Sequence, residues 1–128
     1  MEWPVRTFLK ASLAWLAAGV TLGVAMAARP AWTVYRPAHL HALLLGFVAM
    51  MIFGVAYHVI PRFSGHALHA PRLARAHVWL ANVGLAAMVT GFALRAAGVR
   101  WAPALLAAGG TLAALGAYAF AWNLWRTI

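Results

Sequence analysis

The hydrophobic residues of this chain fall into four long blocks that are separated by short stretches rich in proline and arginine. The breaks lie at Arg29–Pro37, Pro61–Arg75 and Arg95–Arg100. The blocks that remain lie near 5–28, 38–60, 75–97 and 101–125. A helix that crosses a bilayer needs about 20 mostly apolar residues, which is the approximate length of each block. The pattern therefore predicts four transmembrane helices.

Composition indicates which solvent the surface meets. Hydrophobic residues make up 66% of the chain and charged residues only 9%, whereas a soluble domain has about 25% charged residues. The strands of a membrane barrel would show alternating polar and apolar positions, and the blocks do not. We expect an all-α polytopic membrane protein, an up-down bundle of four transmembrane helices that forms a single domain over residues 1–128. The first block is too long for a cleaved signal peptide, so we expect a retained span.

The basic residues predict an orientation. With four spans, both termini share one side with the loop at 61–75, and that side carries Arg6, Lys10, Arg62, Arg72, Arg75 and Arg126. The other side carries Arg29, Arg36, Arg95 and Arg100. Because positive residues favour the inside, we expect both termini in the cytoplasm and the protein in the cell's inner (cytoplasmic) membrane. The net charge of +9 is scattered through short loops, which favours anionic lipid headgroups and not nucleic acid as the partner.

Histidine is the main metal-binding residue type left for the spans. The chain has no cysteine, which excludes a disulfide, a thiolate ligand and a covalently attached c-type haem. Its single acidic residue, Glu2, lies before the first block, so no carboxylate relay or carboxylate-bridged metal centre is expected inside the membrane. A neutral imidazole is a good ligand for haem iron, copper and zinc.

The positions of the histidines separate two candidate sites. His39 and His41 begin the second block, and His58 lies 19 residues after His39, about 28 Å along a helix. The third block runs back, so His77 near its start should lie at the depth of His58. Two residues on a helix span about 200° of rotation, so His39 and His41 should point to nearly opposite sides and serve different centres or neighbours.

The second block carries a recognisable motif, HLHALLLGFVAMMIFGVAYHVIPR, from His39 to Arg62. It combines H-x-H, then Leu45-Gly46-Phe47, then a G-x-x-Y-x-x-x-P-R element from Gly54 to Arg62. This stretch resembles the tenth helix of the haem-copper oxidase catalytic subunit, and it is closest to the C-type (cbb) oxidases and nitric oxide reductases. The preceding Arg36-Pro37-Ala38-His39 is similar to the R-P-x-H of that family's second helix.

The resemblance implies roles and an architecture. His39 matches the ligand of the high-spin haem and His41 the ligand of the low-spin haem, both of them non-covalent haem b. The family's twelve helices form three four-helix units, and this chain resembles one of them. The family's copper-site histidines lie on helices that have no match here, so the resemblance does not extend to oxygen or NO reduction by this chain alone.

Arg36 and Arg100 lie on the same side of the membrane as His39 and His41. They are expected either as interface anchors or as guanidinium partners for haem propionates, since a guanidinium pairs well with a carboxylate.

Three functional hypotheses remain open. The first is a b-type haem protein that transfers electrons to a redox partner or binds a diatomic gas such as NO or O2. The second is a copper or zinc protein whose site at the inner face is built on His58, His66, His69 and His77. The third is a cofactor-free accessory or scaffold subunit. We also expect a homo-oligomer through the second helix, with one histidine facing away from its own bundle and Gly46 and Gly54 allowing close approach.

Overall fold

The computed structural model describes residues 2–128, which contain four long helices. The first helix is Trp3–Ala28, the second Pro30–Ser64, the third Pro71–Ala96 and the fourth Ala102–Thr127. Each is long and apolar enough to cross a membrane. The prediction of an all-α protein with four spans is confirmed, and the chain is a multi-pass membrane protein. Each helix carries a proline in its first turn, where the missing N–H would have no partner within the helix.

The second helix is longer than predicted and is not uniform. It begins with a 3-10 segment, Pro30–Tyr35, and continues as an α-helix over Arg36–His41. A π-helical segment follows at Ala42–Ala49, and the α-helix resumes over Met50–Ser64. In a π-helix each N–H donates to the carbonyl five residues back instead of four. Hydrophobicity could not predict this change, because all eight residues of the π segment are apolar or glycine.

The second helix lies between the first and the third, and the fourth helix packs mainly along the third. The third and fourth helices approach closely at two glycines, since a Cβ on Gly84 would lie only 2.8 Å from the carbonyl oxygen of Gly109. The hydrophobic core lies toward the end of the bundle that holds both termini. Its buried members are Val5, Phe8, Met50, Tyr57, Ala74, Val78, Ala81, Leu85 and Leu124.

The end of the fourth helix holds the loop between the second and third helices. The side-chain oxygen of Asn123 accepts a hydrogen bond from the Ala70 N–H, and its amide nitrogen donates to the Ala70 carbonyl, each at 2.9 Å. The Thr127 hydroxyl accepts from the His69 N–H at 3.0 Å. Both polar side chains are buried, and these bonds satisfy them. The loop is thereby tied to the fourth helix.

Candidate functional site

His39 faces the first helix. Its Nδ1 lies 2.8 Å from the carbonyl oxygen of Gly19. A carbonyl oxygen can only accept, so Nδ1 carries the proton of the neutral ring and Nε2 keeps its lone pair. The ring lies so close to the first helix that a Cβ on Gly23 would be 2.8 Å from its Cε1 atom. His39 is thus oriented by a backbone hydrogen bond, with Nε2 left as the nitrogen that can bind a metal.

His41 turns to the other side of the helix and meets the third helix. Its Nδ1 lies 2.8 Å from the carbonyl oxygen of Pro37, one turn earlier. Its ring centroid is 4.8 Å from that of Phe92. The same reasoning assigns the proton to Nδ1 and the lone pair to Nε2. The two histidines therefore share one hydrogen-bonding pattern but face different neighbours.

A surface groove of about 420 Å³ lies beside two residues that His41 contacts, and His41 itself does not line it. It is lined by Val34, Pro37, Phe92, Arg95 and Ala96. Pro37 and Phe92 are also the residues that His41 contacts. Arg95 was not singled out by the sequence reasoning, although its position on the same membrane side as His41 was a usable signal. The groove offers apolar walls and one guanidinium.

Arg36 and Arg100 lie at the same end of the molecule but are not brought to the histidines. Arg36 begins the α-helical segment that carries His39, and Arg100 lies in the turn between the third and fourth helices. Both are exposed. Within the described chain, the hydrogen bonds of His39 and His41 go to backbone carbonyls and not to either guanidinium.

His77 lies at the centre of the bundle and is completely buried. Its Nδ1 is 3.0 Å from the Tyr57 hydroxyl, which places it at the level of the end of the second helix. Its ring centroid lies 4.6 Å from that of Phe53, 4.7 Å from that of Phe8 and 5.7 Å from that of Phe120. Across residues 2–128, Nε2 of His77 finds no hydrogen-bond partner. All four helices contribute to this aromatic enclosure.

His58 has a different environment from His77. The Arg62 guanidinium donates to Nδ1 of His58 at 3.0 Å and also to the His58 carbonyl. His66 and His69 are exposed in the following loop. In the part of the chain that the structure describes, no three histidine or acidic side chains are grouped to hold a metal ion. The copper or zinc hypothesis stays a prediction that this geometry does not favour.

Gly46 and Gly54 of the second helix make their close contacts within the chain. A Cβ on Gly46 would meet Trp15 and Leu85, and a Cβ on Gly54 would meet Leu9. His39 and His41 also contact helices of their own chain. Both histidines are half-buried, and the expectation that one of them meets another copy stays a prediction.

Comparison with known proteins shows which family the whole chain matches. Residues 1–128 match the family described as Cytochrome C and Quinol oxidase polypeptide I. The Cbb3-type cytochrome c oxidase subunit CcoN1 of Stutzerimonas stutzeri is 34% identical over 87 residues, which covers 63% of this chain and 18% of that protein. Cytochrome c oxidase subunit 1 of Rhodobacter capsulatus is 29% identical over 125 residues, covering 76% of this chain and 22% of that protein.

The chain thus spans about a fifth of the length of these curated relatives. The match to the family extends over all four helices and is not confined to the histidine motif of the second. The chain belongs to the haem-copper oxidase catalytic subunit (subunit I) family.

Proposed function

We propose that this membrane protein binds haem b non-covalently through His39 and His41 and serves in electron transfer or in binding a diatomic gas, NO or O2. The observation that carries the proposal is the hydrogen bond that each Nδ1–H donates to a backbone carbonyl, Gly19 for His39 and Pro37 for His41. Histidines that ligate a metal almost always donate their other ring N–H in this way, which fixes the tautomer and orients the lone pair.

The surroundings of His41 fit a haem group. The adjoining groove has the apolar side chains Val34 and Phe92, and Arg95 supplies a guanidinium at its wall. A guanidinium can pair with a propionate carboxylate through two parallel hydrogen bonds. Arg36 and Arg100 would act at the membrane surface on the same side, as anchors or as further propionate partners.

The chain's own residues would set the position and the basicity of the ligands. A bound haem b supplies a one-electron centre and, where an axial position is open, a site for a diatomic gas. The carbonyls of Gly19 and Pro37 hold the imidazole rings and make Nε2 a stronger donor.

The proposed assembly is a homo-oligomer in the inner membrane, with both termini in the cytoplasm and an electron-transfer partner at one face. A haem needs walls on both sides, and a bundle of four helices has little interior to supply them. The second helix has an exposed apolar stripe that would meet another copy. It consists of Leu40, Leu44, Val48, Ile52 and Val55.

A second role, as a cofactor-free structural subunit, is favoured by one observation. The His39 ring fills the space that Gly23 leaves on the first helix, so it also packs two helices together. In this alternative the histidines serve packing and the purified protein is colourless.

Haem content of purified variants tests the proposal. The wild-type protein should carry haem, and His39→Ala or His41→Ala should each lower the haem-to-protein ratio and change the Soret band. His66→Ala, in an exposed loop, is the matched control and should retain the wild-type ratio. Equal haem content in all four proteins would contradict ligation by His39 and His41, and a haem-free wild type would favour the structural role.

A further inference from the structure

The buried positions of the second helix follow an unusual spacing. Ala38, Ala42, Gly46, Met50 and Gly54 are all buried, and they lie four residues apart. In an α-helix each four-residue step advances a side chain by about 400°, so Ala38 and Met50 would point about 120° apart. The π segment Ala42–Ala49 removes this difference, because its longer turns accommodate one extra residue.

If the same residues formed an α-helix throughout, each histidine would point in a different direction from the one observed. His39 lies eleven residues before Met50 and would point within about 20° of it, into the buried seam. His41 lies nine residues before Met50 and would point about 180° away, toward lipid. Instead, the structure places His39 against Gly19 of the first helix and His41 against Phe92 of the third.

We infer that the π-helical segment Ala42–Ala49 is a positioning element that rotates the start of the second helix by about 100°. This rotation places the small side chain of Ala38 in the buried seam, turns His39 to the first helix and brings His41 against Phe92 of the third. That the rotation matters for haem binding rests on the proposed function. The rotation itself rests only on the geometry of the helix.

Removal of one residue from the segment tests the inference. Leu44 is 59% exposed, so its deletion removes little packing while it lets the segment return to α-helical hydrogen bonding. The deletion brings His39 to ten residues and His41 to eight residues before Met50, so the α-helix that forms should keep both histidines in their present directions, toward the first and the third helix. Leu44→Ala is the matched control, because it truncates the same side chain and keeps the residue count.

The chain has no cysteine, so a single nitroxide label reports one position unambiguously. Labels at Leu40→Cys and at His41→Cys should keep their accessibility to dissolved O2 in the Leu44 deletion, whereas the same deletion in a helix that was α-helical throughout would rotate both labels by about 100°. Both should be unchanged in Leu44→Ala. A folded deletion protein in which both labels change accessibility would overturn the inference, whether or not the wild type binds haem, because the deletion rotates the helix start only if the segment was α-helical before.

Two further measurements keep the outcomes distinct. If the deletion protein does not fold, the intact protein is tested by the distance from the Leu43 carbonyl carbon to the amide nitrogens of Phe47 and Val48. A shorter distance to Val48 supports the π segment, and a shorter distance to Phe47 contradicts it. In haem-loaded protein, the deletion should show the same Soret band as Leu44→Ala, because neither change turns His39 or His41. Loss of the band without a change in label accessibility would separate haem binding from the rotation.

Discussion

The histidines at the start of the second helix differ from the others in their hydrogen-bond partners. His39 and His41 donate from Nδ1 to carbonyl oxygens, whereas His58 accepts from a guanidinium and His77 pairs with a hydroxyl. Only the first arrangement fixes a proton on Nδ1 and leaves Nε2 unprotonated. The spacing of the two residues in the sequence predicted that they diverge. It could not predict which helix each would meet, because that depends on the π segment.

Substitution at Gly23 tests the placement of His39. In Gly23→Ala the new Cβ would lie 2.8 Å from Cε1 of His39, so the ring must shift and its bond to the Gly19 carbonyl must weaken. Overpacking of this kind costs about 1–3 kcal/mol, measured as the free energy of unfolding in mixed detergent micelles. Gly110→Ala is the control, since a Cβ there meets nothing within 4 Å. Equal stability of the two variants would contradict the close packing of His39.

We expect the contributions of Tyr57 and His77 to the free energy of unfolding to be strongly coupled. His77→Phe leaves the Tyr57 hydroxyl buried without its partner, and Tyr57→Phe does the same to Nδ1 of His77. Each single change should lower the free energy of unfolding by about 1–3 kcal/mol, whereas replacing both partners with apolar groups should cost much less than the sum. A double-mutant cycle measures this difference. Additive effects would show that the two groups do not depend on each other.

At the scale of the helices, hydrophobicity predicted most of the architecture. Four blocks became four helices, and the first, third and fourth end within a few residues of the expected positions. The second was underestimated because Pro30 and Pro37 were read as a break. Both lie in the first turn of a helical segment, where proline costs no hydrogen bond. The π segment leaves no mark in hydropathy, so its consequences for His39 and His41 were not predictable.

The connection between the second and third helices depends on Asn123. In Asn123→Ala the Ala70 N–H loses its partner, and the Ala70 carbonyl keeps only the bond from the Ala74 N–H. We expect a loss of about 1–3 kcal/mol in the free energy of unfolding. Proteolysis of the loop at residues 65–70 should be faster. Asn82→Ala is the control, because the Asn82 side chain bonds only to a carbonyl one turn earlier in its own helix. Equal rates of loop proteolysis in the two variants would contradict the attachment of the loop through Asn123.

At the scale of the whole molecule, the exposed stripe on the second helix predicts an oligomer. Val48→Trp places a bulky side chain on this stripe, and it should lower the mass of the particle in mild detergent if copies associate there. Leu115→Trp, at a similarly exposed position on the fourth helix, should leave the mass unchanged. A wild-type monomer that retains one haem per chain would contradict the assembly and would require both ligands within one chain.

Ligation of a haem by His39 and His41 is the central proposal for this protein. Its most direct test is the absorption spectrum of the detergent-solubilised protein, oxidised, reduced, and reduced with CO. We predict a Soret band. Sharp α and β bands in the reduced protein with no response to CO would indicate two histidine ligands and electron transfer, whereas a Soret shift with CO would indicate an open site for a diatomic gas. A protein with no Soret band after expression with ample haem would contradict the claim.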